Sequence, residues 1–243
     1  MFINNFGNHT SPFDFDNDSF SDISTFRGYN WKGADCDEFN GNIYPGRKEG
    51  SLLLDHDCNG IFGLDLVKKK SYEELFCSGS KRLGVAVTGD SAGAHFSIPE
   101  KYFNASMIKK DTYSDLLERA ANEMDIPHES GYTGNMNIPL SHSIYKYIRK
   151  WNLCNNNDYQ NIAVNGAYSE ITFNYAKNLK RDQDKDYPLL IFLELVGNDV
   201  CAKSFSRMTT TTKFKSNILR ILHYLDSSVP AGSHVVLLGL ADG

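Results

Sequence analysis

Three short stretches hold residues whose types and order could do chemistry. "TGDSAGAHF" sets Ser91 just after an apolar, β-branched run, "VNGA" carries Gly166, and "LVGNDVC" carries Asn198. A serine at the end of a strand can attack a carbonyl carbon, and the oxyanion formed then needs converging N–H donors. The Ser91 N–H, the Gly166 N–H and the Asn198 side-chain amide are the candidates. Alone, Asp-Ser before a helix is an ordinary N-cap and Gly-Asn-Asp an ordinary turn. The ordered set Ser, Gly, Asn at three successive strand ends carries the inference.

A second constellation is acidic. "DFDNDSF" places Asp14, Asp16 and Asp18 at alternate positions with the Phe20 carbonyl next, the spacing of a hard-cation loop. "DHDCNGIFG" repeats the pattern with Asp55, Asp57, Asn59 and the Ile61 carbonyl, and supplies Gly60 for the sharp turn. Its twelfth position is Leu66 rather than glutamate, so Glu73 is expected to close the shell. Between these loops "DCDEFNGNI" offers Asp35, Asp37, Glu38, Asn40 and the Ile43 carbonyl. The bland alternative is a solvated acidic loop; two spaced loops with Gly60 favour calcium. The ions would be structural, because the loops precede the first strand instead of extending from its rim.

Elements must hold these residues. "RLGVAVTG" (82–89), "YQNIAVNG" (159–166), "YPLLIFLELVG" (187–197) and "SHVVLLGLADG" (233–243) are short, apolar and bounded by Gly or polar clusters, which predicts buried strands. Between them, 113–124, 169–182 and 210–228 carry apolar residues at three- and four-residue spacing, which predicts amphipathic helices. Strands alternating with helices imply a parallel, doubly wound sheet whose ligands sit beyond the carboxyl ends of its strands. Ser91, Gly166 and Asn198 then share one rim. Residues 1–78 form an acidic, loop-rich segment packed on the domain of residues 79–243.

Bulk properties narrow the classes. With 243 residues, 41% of them hydrophobic, the chain can bury a sizeable core. A net charge of -5 with no Lys/Arg cluster argues against nucleic acid as a partner. No apolar run reaches the ~18 residues of a membrane span, and the start lacks the basic-then-apolar order of a signal peptide. Five scattered cysteines without a CxxC pair leave out a zinc ribbon but allow disulfides, and Asn8, Asn17 and Asn104 begin glycosylation triplets that suit a secreted protein.

"GDSAGAHF", "DYQNIAVNGA", "GNDVC" and "GSHVVLLGLADG", with "FRGYNWKGADC", "YPGR", "DCNGIFG" and "FCSGS" upstream, resemble the catalytic subunit of the acyloxyacyl hydrolases, within the GDSL (SGNH) esterase superfamily. The resemblance runs through almost the entire chain. It implies a three-layer α-β-α SGNH-hydrolase (flavodoxin-like) sheet and removal of secondary fatty acyl chains from the lipid A of lipopolysaccharide. It also implies Ser91 as nucleophile, Gly166 and Asn198 in the oxyanion hole, Asp90 as a positioning residue, and calcium in the acidic segment. It suggests pairing Cys36 with Cys58 and Cys77 with Cys154, leaving Cys201 for a partner elsewhere. A secreted or endolysosomal location follows from the same resemblance.

The departures matter as much. Such enzymes take their general base from an Asp-x-x-His block after the last strand, and this chain reaches Gly243 without one. Asp125-Ile126-Pro127-His128 has the spacing but lies between the first and second predicted strands, and is read as a decoy. His95 belongs to the nucleophile motif, and His234 opens a strand at the opposite rim. The chain therefore reads as a C-terminally truncated piece of an esterase, without the family's saposin-like lipid-binding segment and inactive alone. The alternatives are a generic GDSL lipase or phospholipase, and a calcium-stabilised lipid-binding module without turnover.

Overall fold

The computed structural model describes residues 7–48, 50–137, 141–195, 197–201 and 204–239. Before residue 64 the described backbone is held by turns and isolated bridges. A small antiparallel ribbon follows, β1 (Leu64–Asp65) and β2 (Lys70–Ser71), leading into helix α1 (Tyr72–Cys77), where the Ser71 hydroxyl caps by accepting the Glu74 N–H.

The main sheet has four parallel strands, β3 (Gly84–Gly89), β4 (Tyr159–Asn161), β5 (Leu189–Glu194) and β6 (His234–Leu238), in the order β4-β3-β5-β6. Helices cover both faces, so the expected three-layer α/β architecture is the one observed. On one face α5 (Ser169–Ala176) and α7 (Thr211–Ser228) bury Ala176, Ile218, Ile221 and Leu225 against Leu189, Ile191 and Leu193 of β5. On the other, α4 (Ile144–Trp151) sets Tyr145 against Val85, Val87, Tyr159 and Phe192. The chain winds from β3 to β4 on one side and then crosses to β5 on the other. That reversal leaves a crevice between the carboxyl ends of β3 and β5, the place where open α/β sheets bind ligands.

The acidic segment closes the β4 edge. The Gly33 N–H donates to the Tyr159 carbonyl at 2.9 Å and the Asn161 N–H to the Trp31 carbonyl at 2.6 Å, so residues 31–33 satisfy backbone groups that a bare edge would present to other chains. Trp31 is fully buried beside Ala94 and Ala163. Arg27 stacks on the Trp31 ring at 3.6 Å and donates to Glu123 and to the Ala163 carbonyl, tying the segment to two loops of the sheet domain.

Elements are shorter than periodicity predicted. The strand expected over 159–166 keeps regular pairing only to Asn161, although Ile162 and Val164 still donate to the carbonyls of Val87 and Gly89. The helix expected over 169–182 ends at Ala176, because Lys180 is held on both backbone groups by the Gln160 side chain and Arg181 turns inward to Asp158. The helix expected over 113–124 is α3 (Leu116–Ala121), since Glu123 and Met124 adopt left-handed backbone and Glu123 is gripped by Arg27 and His9. Helix α4 was missed; its signal is Ser143, whose hydroxyl accepts the Lys146 N–H.

Candidate active site

Strand β3 delivers its last residues into the crevice. A Cβ at Gly89 would stand 2.0 Å from the Glu194 carbonyl oxygen, so only glycine lets β3 run this close to β5 here. Asp90 follows as an N-cap in extended backbone, its Oδ1 accepting the Ala92 N–H at 3.0 Å. Ser91 opens α2 (Ser91–Ala94), a single turn that His95 closes with φ 58°. The helix that starts at Ser91 is one turn of backbone, whose aligned peptides carry little field.

Three loops meet around this turn. Gly197 opens α6 (Gly197–Val200), and a Cβ there would lie 3.5 Å from Asp90 Oδ2. The next residue, Asn198, donates through Nδ2 to the Ala167 carbonyl at 2.8 Å, which ties it to the turn that holds Gly166. Gly166 has φ 78°, the left-handed region that glycine enters without strain. Asp199 locks the arrangement: its buried carboxylate accepts the Ser169 N–H at 2.9 Å and the Ser169 hydroxyl at 2.6 Å, and Asn217 of α7 donates to that hydroxyl. The Gly166 and Asn198 loops are thus bonded to each other, and the Asp90–Ser91 turn lies against Gly197 at the same rim.

Glu194 belongs to the same cluster and sequence reasoning missed it. Its Oε2 accepts the Gly93 N–H at 3.2 Å, and its carboxyl is hydrogen-bonded to Asp90. Burial and then the Asp90 charge push Glu194 up to about 6. The available signal was a lone acid inside "LLIFLELV".

The histidines are placed otherwise. His95 Nε2 faces Glu129 at 4.0 Å. The Asp125–His128 segment packs on the exit of the nucleophile turn, with the Ile126 N–H on the His95 carbonyl at 3.0 Å and the Ser130 hydroxyl on the Gly93 carbonyl at 2.9 Å. Both Asp125 oxygens and His128 Nδ1 are buried without a hydrogen-bond partner, so Asp125 does not orient the His128 ring. Burial raises Asp125 to about 8 and pushes His128 down.

The acidic segment gathers Asp14, Asp16 and Asp18 with ligand oxygens within 4.8 Å of one another. Asp16 Oδ2, Asp18 Oδ2 and Asp35 Oδ2 are buried without partners. Burial, with the neighbouring carboxylates adding to it, raises Asp18 to about 8 and Asp35 to about 6. Orphaned, mutually repelling carboxylate oxygens fit a hard cation. Phe20 is buried and stacked on Tyr44.

The second loop differs from expectation. Asp57 and Glu73 grip the Arg82 guanidinium, which also stacks on Tyr187 at 4.1 Å, so Glu73 closes on an internal cation. Asn59 Nδ2 donates to Asp57 and the Asp55 carboxylate accepts the Asn59 and Gly60 N–H groups, while the Ile61 N–H goes to Asn59 Oδ1. One guanidinium shared by Asp57 and Glu73 leaves this loop with excess negative charge, Asp55 adding to it. The third set also separates: Asp35 lies close enough to Asp16 and Asp18 for their charges to act on one another, Glu38 accepts the Phe15 and Asp22 N–H groups, and Asn40 holds the turn to Ile43 beyond Asp37.

Cys36–Cys58 and Cys77–Cys154 are bonded, and Cys201 is a free, exposed thiol. Among the described residues no helix is long and apolar enough to cross a membrane.

No family model matches the chain. It is similar to acyloxyacyl hydrolases of Mus musculus, Oryctolagus cuniculus and Homo sapiens, at 40% identity in each case over 95–96% of this chain. The chain spans 42% of the length of each of these relatives.

Proposed function

From the premise that this chain is kin to the acyloxyacyl hydrolases along nearly its whole length, we propose that it carries the serine-esterase site of such an enzyme. The observation that carries the reading is that the Asn198 side chain is bonded to the loop of Gly166 while Gly197 lies against Asp90, next to Ser91, at the carboxyl ends of adjacent parallel strands. In this reading Ser91 Oγ attacks the ester carbonyl carbon and its proton passes to a histidine base. None of this chain's described histidines is assigned to that role. The tetrahedral oxyanion is received by the Ser91 N–H, the Gly166 N–H and the second amide N–H of Asn198. Collapse expels the alcohol, which takes the proton, and water then releases the fatty acid from Ser91.

The substrate proposed is an acylated lipid in which one acyl chain is esterified to the hydroxyl of another, as in the lipid A of lipopolysaccharide. Calcium is assigned a structural role at Asp14, Asp16, Asp18 and Asp35, where it would neutralise repulsion away from the reacting atoms. A saposin-like segment is the proposed lipid-presenting partner. The two disulfides and the exposed side chains of Asn8 and Asn17 favour a secreted or endolysosomal setting.

The test is fatty-acid release from lipopolysaccharide by the purified protein with calcium, beside Ser91→Ala. Release that depends on Ser91 supports the assignment; equal release by the alanine variant overturns it. Lipopolysaccharide binding without release in either protein would favour a lipid-binding module.

A further inference from the structure

We propose that Glu194 is a positioning residue of the Ser91 site, acting as the hydrogen-bonded carboxyl partner of Asp90 and clamping the nucleophile turn to β5. The proposal rests on the reading of Ser91 as nucleophile and deepens that same site.

The geometry is over-determined. Glu194 is the last residue of β5 and lies in register with Gly89, immediately before Asp90. Its Oε2 holds the Gly93 N–H on the far side of the same turn, at 3.2 Å. Asp90 commits Oδ1 to the Ala92 N–H and directs Oδ2 towards Gly197, so the two carboxyls bracket the Ser91 turn from both strands. The Asp90 charge opposes ionisation of Glu194, and a proton held on Glu194 bonds the two carboxyls below about 6. The groups facing the pair are the Tyr132 phenol, which burial and then the two carboxyl charges push up, and the apolar Leu238 of β6. No lysine or arginine is among them.

The shared proton has a chemical consequence. While Glu194 holds it, the turn carries one negative charge fewer to oppose the oxyanion developing beside it. Glu194 is raised above an ordinary glutamate, to about 6. The folded state therefore holds this proton more tightly than the unfolded chain. Its stabilising contribution is complete below the ordinary glutamate value and is lost as pH rises through about 6.

Glu194→Gln separates this from plain packing. The amide oxygen can still accept the Gly93 N–H while the amide nitrogen donates to Asp90, a permanent copy of the protonated form. Glu194→Ala removes both bonds. Thermal midpoints and p-nitrophenyl butyrate hydrolysis would be measured from about pH 5 to about pH 8 for the protein and both variants. The expected result is a wild-type midpoint that falls as pH rises across the interval and a Glu194→Gln midpoint that falls less. The ratio of Glu194→Gln to wild-type hydrolysis should climb several-fold. Asp90→Asn should also flatten the midpoint profile, by removing the neighbouring charge. Parallel midpoint profiles for wild type and Glu194→Gln would overturn the pairing, and a pH-independent rate ratio would overturn the positioning role. If Ser91→Ala hydrolyses as fast as wild type, the nucleophile reading fails, while the midpoint comparison still decides the carboxyl pair.

Discussion

Asp90 serves two neighbours at once, capping the turn that begins at Ser91 and meeting the Glu194 carboxyl from the adjacent strand. Asn198 has a comparable double duty, because one amide N–H holds the Ala167 carbonyl and the other is assigned to the oxyanion. Asn198→Ala is expected to lower kcat on a soluble ester by about 100- to 1,000-fold, the cost of one oxyanion donor, with a small change in KM. Imidazole supplied as an external base should raise ester hydrolysis by the wild type above the Ser91→Ala background. A second residue-scale expectation concerns Glu123. Burial raises its carboxyl, but hydrogen bonds from Arg27 and His9 outweigh that and hold it at about 2. Its stabilising contribution is present above the ordinary glutamate value and is lost as pH falls towards about 2, so Glu123→Gln should flatten the acid limb of a stability profile. Arg27→Ala would strand the partly buried carboxylate, at a cost of about 3–5 kcal/mol readable by urea unfolding.

At the scale of elements, the strands carrying the site were legible because each is a short apolar run ending in Gly or Asp. The helices were legible in kind but not in length. Residues 177–182 continue the apolar spacing, yet Gln160 and Asp158 supply better partners for Lys180 and Arg181 than another helical turn would. Glu194 was illegible for a related reason: an acid in an apolar strand looks like a breach of pattern until Asp90 and the Gly93 N–H are placed beside it. Helix α7 anchors the sheet behind the site, and Asn217 on it supports Ser169 and hence Asp199. Ile221→Ala in that helix should destabilise by about 2–5 kcal/mol, measured as a lower denaturation midpoint, because a fully buried side chain leaves a cavity over β5.

Across the whole molecule, the acidic segment, the β4 edge and the nucleophile turn form one connected structure through Trp31, Arg27 and the Cys77–Cys154 bond. A cation held by Asp14, Asp16, Asp18 and Asp35 would relieve buried repulsion, so calcium is expected to raise the thermal midpoint and a chelator to lower it. Asp18→Asn should remove most of that response. Asp57→Asn should reduce it less, because Arg82 already bridges Asp57 and Glu73. By itself the sequence determined the residue types at three strand ends, the parallel alternation of strands and helices, and the supply of carboxylates for a cation. Only the tertiary structure decided that Arg82 bridges Asp57 and Glu73, that Asp35 comes within reach of the charges of the first loop, and that Glu194 meets Asp90. The physical reason is range. Periodicity and capping are set by neighbours a few residues apart, whereas the charge state of a buried carboxyl is set by whichever distant side chain the fold brings against it.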